Sequence, residues 1–176
     1  RGLAYLGRTQ RSDGAWIPLW FGNQHAPGEE NPTYGTARVL SALSSLKPNP
    51  VTRLPEASDM VAKATQWLLA AQHADGSWGG AAGCPSSIEE TALAVQALAS
   101  AACRRHWPEP RDRQAIISAV ERGASWLIAR VEAGAWTQPA PIGFYFAKLW
   151  YYERLYPLIF TTGALAQAAR LFSDEA

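Results

Sequence analysis

The stretch Gln72-His73-Ala74-Asp75-Gly76-Ser77-Trp78 decides the fold of this chain, because it recurs. It closes a helical run, Ala64-Thr65-Gln66-Trp67-Leu68-Leu69-Ala70-Ala71. Earlier, Arg1-Gly2-Leu3-Ala4-Tyr5-Leu6 leads to Gln10-Arg11-Ser12-Asp13-Gly14-Ala15-Trp16. Later, Arg122-Gly123-Ala124-Ser125-Trp126-Leu127 leads to Val131-Glu132-Ala133-Gly134-Ala135-Trp136. The closing tryptophans Trp16, Trp78 and Trp136 stand 62 and 58 residues apart. A fixed order of aromatic, glycine and tryptophan at a period of about sixty residues is the mark of a repeat architecture. The third copy is degenerate: Val131 replaces the glutamine and one loop residue is missing.

A helix leaves its last carbonyls unpaired. The Asp-Gly pair after each helix supplies a turn residue and a glycine able to take positive φ, which ends the helix. The glutamine lies one turn earlier, where its amide can stack on the tryptophan ring and bond to the next helix end. The tryptophan pins the loop with a large apolar area, worth roughly 1.5–3 kcal/mol on burial. Gln10, Trp16, Gln72, Trp78 and Trp136 are therefore read as structural staples, with a ligand role for them as the alternative.

With 176 residues the chain is long enough for one sizeable core. Sixteen basic and fifteen acidic side chains leave a net charge of +1, which implies no nucleic-acid surface. Cys84 and Cys103 lack metal-ligand spacing, so a reduced, intracellular protein is the expectation. His25, His73 and His106 are scattered in polar contexts and read as surface residues. The charge-free stretch from Leu155 to Ala169 is too short to span a bilayer. The sequence shows no signal peptide and no initiator methionine, Met60 being its one methionine. It starts inside a repeat, which leads to the expectation of a fragment of something longer.

Helices are expected over residues 2–11, Thr33–Leu46, Pro55–Gln72, from Ser86 or Ser87 to about Arg105, and over 112–132. Phe144–Tyr156 is also read as helical, and Pro157 opens or bends a last helix to Phe172. Ala37, Leu40, Leu43 and Leu46 recur at helical spacing. Ser86 or Ser87 with Glu89 or Glu90 has capping-box spacing. Lys47-Pro48-Asn49-Pro50 and Trp107-Pro108-Glu109-Pro110 are breaks. Thr36-Ala37-Arg38-Val39-Leu40-Ser41-Ala42-Leu43 parallels Thr91-Ala92-Leu93-Ala94-Val95-Gln96-Ala97-Leu98, so each unit is helix, tryptophan loop, helix. Six or seven main helices in an open arc, with essentially no sheet, are expected, in three repeats over about 1–56, 57–111 and 112–176.

These motifs resemble the glutamine–tryptophan repeats of the triterpene cyclases. The chain is similar, over nearly all its length, to the C-terminal part of a squalene–hopene cyclase. Trp20, Tyr34-Gly35-Thr36 and the run Phe144-Tyr145-Phe146 through Tyr152 to Tyr156-Pro157 add to the likeness. The resemblance implies an all-α, α/α-toroid fold with about half a barrel present. It also implies association with the cytoplasmic face of a membrane, and cyclisation of squalene or a related isoprenoid with no metal or organic cofactor. Implied partners are the isoprenoid, the remainder of the same polypeptide, a membrane surface and a second copy in a homodimer, but no nucleic acid.

The family's acid is an aspartate in an Asp-x-Asp-Asp motif. The aspartates here stand apart at 13, 59, 75, 112 and 174, so no catalytic acid is assigned to this chain. The cavity lining does carry over: Trp20, Tyr34, Tyr145 and Tyr152 match aromatic positions, with Tyr34 beside the acid's hydrogen-bond network. Each has an alternative reading as a packing residue. At helical spacing Tyr145, Leu149, Tyr152 and Tyr156 share one face. Leu149 stands where the family commonly has an aromatic, the Gln24–Asn31 segment is an insertion, and Ser87-Ile88-Glu89-Glu90-Thr91 departs from the family pattern. Two other readings remain. One is a non-catalytic α-toroid binding an isoprenoid lipid or a partner protein; the other is a protein prenyltransferase β-subunit, which needs a zinc site that Cys84 and the histidines are poorly placed to form.

Overall fold

The structure, a computed structural model, describes residues 1–46, 55–103, 110–144 and 149–173. Six α-helices lie among them: α1 (Gly2–Thr9), α2 (Pro32–Ser44), α3 (Pro55–Ala70), α4 (Ile88–Ala102), α5 (Pro110–Glu132) and α6 (Tyr156–Ser173). Expected helix ends agree within about a turn. The first proline break, Trp107-Pro108-Glu109 of the second, His106 and Tyr145 fall outside the described residues, and Pro110 opens α5.

The core is built round α4, which packs against α2, α5 and α6. Its sequence explains why. Ala92, Ala94, Ala97, Ala99, Ala101 and Ala102 give it a thin profile on every side, and all its residues except Gln96 and Ser100 are buried. A helix apolar all round is one that neighbours surround. Leu40, Leu68, Leu98, Ile116, Leu127 and Leu171 fill the spaces between it and the flanking helices.

The repeat motif has one geometry in its first two copies. The Trp16 indole donates to the Leu6 carbonyl at 2.9 Å, and the Trp78 indole to the Leu68 carbonyl at 2.8 Å. Both acceptors lie in the last turn of the preceding helix, where the Leu6 carbonyl also accepts from Gln10 N. The backbone N–H of each tryptophan donates to a threonine on the paired helix, Trp16 to Thr36 and Trp78 to Thr91. Each glutamine amide spans two repeats. Gln10 donates to Gly14 O and Met60 O; Gln72 donates to Gly76 O and Ala119 O, all at 2.9–3.0 Å. Arg122 also donates to the Gln72 side-chain oxygen.

Gly14 and Gly76 hold φ of +98° and +91°, which only glycine adopts without strain. A β-carbon at either would collide with the backbone of the next repeat, at Lys63 or at Arg122. Asp13 and Asp75 accept from the N–H two residues on, completing the turn. The third copy lacks this clasp: Trp136 lies in a short 3-10 turn and is 39% exposed, against 0% for Trp78.

One expectation is overturned. Of the stretch 144–156 read as a helix, Phe144 and Leu149–Tyr152 are strand. Strands β2 (Pro141–Phe144) and β3 (Leu149–Tyr152) pair antiparallel, and β1 (Phe21–Gly22) adds to the edge of β2. The registers are Phe21 opposite Phe144 and Ile142 opposite Tyr151. Aromatic residues suit a pleated, half-buried surface, and an available third strand outweighs local helical spacing. Side chains alternate across a strand, so Leu149 and Tyr152 lie on opposite faces and do not share one.

Trp78→Ala should destabilise the fold by about 3–5 kcal/mol, since it removes a fully buried ring and leaves the Leu68 carbonyl unpaired. Gln72→Ala should cost less, about 1–3 kcal/mol. Denaturant unfolding of both variants beside the parent measures the order; a Trp78→Ala protein as stable as the parent contradicts the staple.

Candidate active site

Helix α2 starts where Asn31 caps it. The Asn31 side-chain oxygen accepts from Tyr34 N at 3.0 Å, and Pro32 occupies the first turn without needing a donor. This sets Tyr34 in the first turn, half-buried, with its ring centroid 5.0 Å from that of Phe21. Tyr151 of β3 hydrogen-bonds to Tyr156 and lies within electrostatic reach of Tyr34. Tyr156 in turn packs 5.0 Å from Phe160. Rings from β1, α2, β3 and α6 thus converge. Burial raises the Tyr34 phenol above its ordinary pKa, and Arg38 partly opposes that. Such an array offers π faces and hydroxyls, which suit a bound or transient cation shielded from water.

Of the positions read from the sequence, Tyr34 joins this array. Trp20 and Tyr152 are 54% and 61% exposed, Tyr152 on the opposite face of β3 from Tyr151, and Tyr145 lies outside the described residues. Tyr151 was missed because the run was read as a helix; the signal for it was the strand-forming residues after Gly143.

A second feature was also missed. Glu89 and Glu90, in the first turn of α4, are each only 1% exposed. Ser87 caps α4 by accepting from Glu90 N at 3.1 Å, as the spacing predicts. The reciprocal half of the capping box does not form, because Ser87 N is taken by the Trp78 carbonyl. The Glu90 carboxyl instead accepts from Asn23 Nδ2 at 3.1 Å and Asn31 Nδ2 at 2.9 Å, through one oxygen. Glu89 accepts from the Ala140 N–H at 2.8 Å. Among the described residues the second oxygen of each has no hydrogen-bond partner, and neither carboxyl forms an ion pair.

Burial pushes the Glu89 carboxyl up to about 7 and raises Glu90 as well. Glu89 lines a cleft of about 340 Å³, with His25, Ser86, Trp126, Arg130 and Gln138 on its walls. Arg130 stacks over Trp126 at 4.6 Å, and the Trp126 indole donates to Asp75. The cleft does not include the aromatic array. Among the described residues no three His, Cys, Asp or Glu side chains converge on a metal position, and no helix is long and apolar enough to cross a membrane.

Residues 1–170 match the family described as squalene-hopene cyclase C-terminal domain. The chain is 30% identical over 174 residues to a squalene–hopene cyclase of Bradyrhizobium diazoefficiens, covering 89% of this chain and 23% of that protein. It is 32% identical over 176 residues to an ent-copalyl diphosphate synthase of a Streptomyces species, covering 97% of this chain and 28% of that one. Among solved structures, ent-copalyl diphosphate synthase from Streptomyces platensis superposes with a TM-score of 0.66 at 25% identity, covering 97% of this chain and 27% of that chain. Its fold is the α/α toroid expected from the repeats. The chain spans about a quarter of the length of the curated relatives it matches.

The buried carboxyl has a consequence for stability. The folded Glu89 holds its proton to about pH 7, against an ordinary value of 4.5. Its contribution is complete below about 4.5 and is lost as pH rises through 7. Glu89→Gln cannot titrate. Its stability relative to the parent should therefore rise between pH 4.5 and pH 7, by up to about 3 kcal/mol. Denaturant titrations at pH 5 and pH 8 check this; a pH-independent difference contradicts it.

Proposed function

The chain belongs to the squalene-hopene cyclase C-terminal domain family, and from that premise we propose that it is the C-terminal portion of a class II, protonation-initiated cyclase acting on squalene or a related linear isoprenoid. The observation that carries this reading is the convergence of Phe21, Tyr34, Tyr151 and Tyr156 from four separate elements. A class II cyclase protonates a terminal double bond, and positive charge then moves along the folded polyene. The protein must offer electron-rich faces where charge appears, and must keep water out. A desolvated cation over a ring gains about 2 kcal/mol or more. The acid itself is supplied from outside this chain, whose aspartates form no Asp-x-Asp-Asp motif.

Trp20, Tyr34 and Tyr145 are proposed as cavity residues, with Tyr151 in the place read for Tyr152, whose side chain is on the opposite face of β3. The exposed apolar side chains Leu155, Leu158 and Ile159, at and just before the start of α6, support peripheral contact with a membrane face, in keeping with an apolar substrate. A second substrate class is favoured by the likeness to copalyl diphosphate synthases over 97% of the chain, and by Leu149 in place of an aromatic. In that reading the polyene is the linear diphosphate isomeric with copalyl diphosphate.

The test supplies the complete enzyme with squalene and, separately, with that diphosphate, and analyses products by gas chromatography–mass spectrometry, the diphosphate products after dephosphorylation. Cyclic products from one of them are expected; return of both unchanged contradicts the reading. Tyr34→Phe, next to the proposed acid, should slow turnover by roughly 10²-fold with the product pattern intact. Tyr151→Ala should release partly cyclised products, because losing about 2 kcal/mol of cation stabilisation shifts partition roughly 30-fold toward early proton loss. A parent-like profile at the parent's rate would make Tyr151 a packing residue.

A further inference from the structure

We propose that Glu89 and Glu90 are positioning residues that fasten the aromatic array to the buried helix α4, and so set how far cyclisation runs before the cation is quenched. This rests on the cyclase reading above. The two carboxyls are adjacent, yet they reach in different directions. Glu90 takes Asn23, two residues after Phe21 and next to β1, and Asn31, the cap that sets Tyr34. Glu89 takes the N–H of Ala140, the residue that leads directly into β2. Strand β2 pairs with β1 on one side and with β3, which carries Tyr151, on the other. One helix turn therefore holds the segment that follows edge strand β1, the start of the central strand β2 and the start of α2.

The sheet needs such an anchor. β1 is two residues long, and β2 and β3 are four each, too little for a sheet to hold itself. The segment joining β1 to α2 is a compact loop, closed by Asn23 N to Glu29 O at 3.0 Å and by Ala26 N to Asn23 O at 3.0 Å. Two of its buried side chains, Asn23 and Asn31, tie it to α4, and both end on one oxygen of Glu90, while Glu30 meets Arg11 at the surface. Burying two carboxyls side by side is costly unless they bond to something. Here three N–H donors, all belonging to the segments that position the array, supply those bonds. His25 and Arg130 stand on the wall of the cleft that Glu89 lines.

An acceptor oxygen at each position is what the role requires; the charge is not. Glu89→Gln and Glu90→Gln keep that oxygen, and Glu89→Leu and Glu90→Leu remove it. The experiment uses the complete enzyme, with product analysis, KM and kcat, thermal melting, and hydrogen–deuterium exchange of the amides of Gly22, Gly143 and Tyr151. The Leu variants should raise the fraction of partly cyclised product at least fivefold, with KM changed less than twofold, and should lose protection in the sheet amides. The Gln variants should restore the parent's product ratio and protection. Asn23→Ala removes, from outside α4, one of Glu90's two donors together with the acceptor of His25 N, and serves if a Leu variant does not fold; it should shift products in the same direction. Folded Leu or Asn23→Ala variants with the parent's product ratio and sheet protection would overturn the proposal. If the parent cyclises neither polyene, the cyclase reading fails, and the exchange measurement still decides whether the carboxyls anchor the sheet.

Discussion

The indole N–H of Trp78, bonded to the Leu68 carbonyl and shut off from water, is the joint on which the middle of the molecule depends. A helix that ends beside another must dispose of its last carbonyls, and this fold does so with a side chain from the following loop. The same residue's backbone N–H is held by Thr91, so α3 and α4 are locked through one tryptophan. Gln72 then carries the connection on to α5, bridging Gly76 and Ala119. Close approach there is possible only because Gly76 and Gly123 have no side chains; a β-carbon on Gly123 would strike the Trp78 ring.

The stapled helices leave α4 encased, and that has a functional consequence. The N-terminal turn of a helix held on all sides is a rigid place from which to position other groups, and rigid support is what a site needs to guide a reactive cation. The chain puts Ser87, Glu89 and Glu90 in that turn. Ser87 closes the helix end, and the carboxyls reach out to the segments bearing Phe21, Tyr34 and Tyr151. The aromatic array is thereby referred to the same core that the tryptophan clasps stabilise. Its short strands contribute shape, while their stability comes from below.

How much of this was legible in the sequence depended on the range of each interaction. The clasp was legible because its parts lie within ten residues and the pattern is repeated: Gln72, Asp75, Gly76 and Trp78 echo Gln10, Asp13, Gly14 and Trp16. The hairpin was not. Eight of the 19 aromatics fall between residues 144 and 160, so dense a run that apolar side chains fit a helical period as readily as a strand's. The partner that settles the matter, Phe21–Gly22, is two residues long and some 120 residues away. Glu90 misled in the same way. Three residues after Ser87 it satisfies a local capping rule, whereas its carboxyl serves Asn23 and Asn31, 67 and 59 residues distant. Trp136 looked like the third staple by position, but without a glutamine at 131 there is no amide to bridge repeats, and the ring stays half out of the core.

The account's central claim is that this chain serves a cyclisation begun by protonation and carried forward over aromatic rings. Running the complete enzyme's reaction in deuterium oxide tests it most directly, by mass spectrometry and deuterium NMR of the cyclic product. The account predicts one deuterium per molecule, on the carbon skeleton at the end where the terminal double bond was consumed, with the product one mass unit heavier than in ordinary water. A cyclic product carrying no deuterium on carbon would show that the reaction starts by another route, and would contradict it.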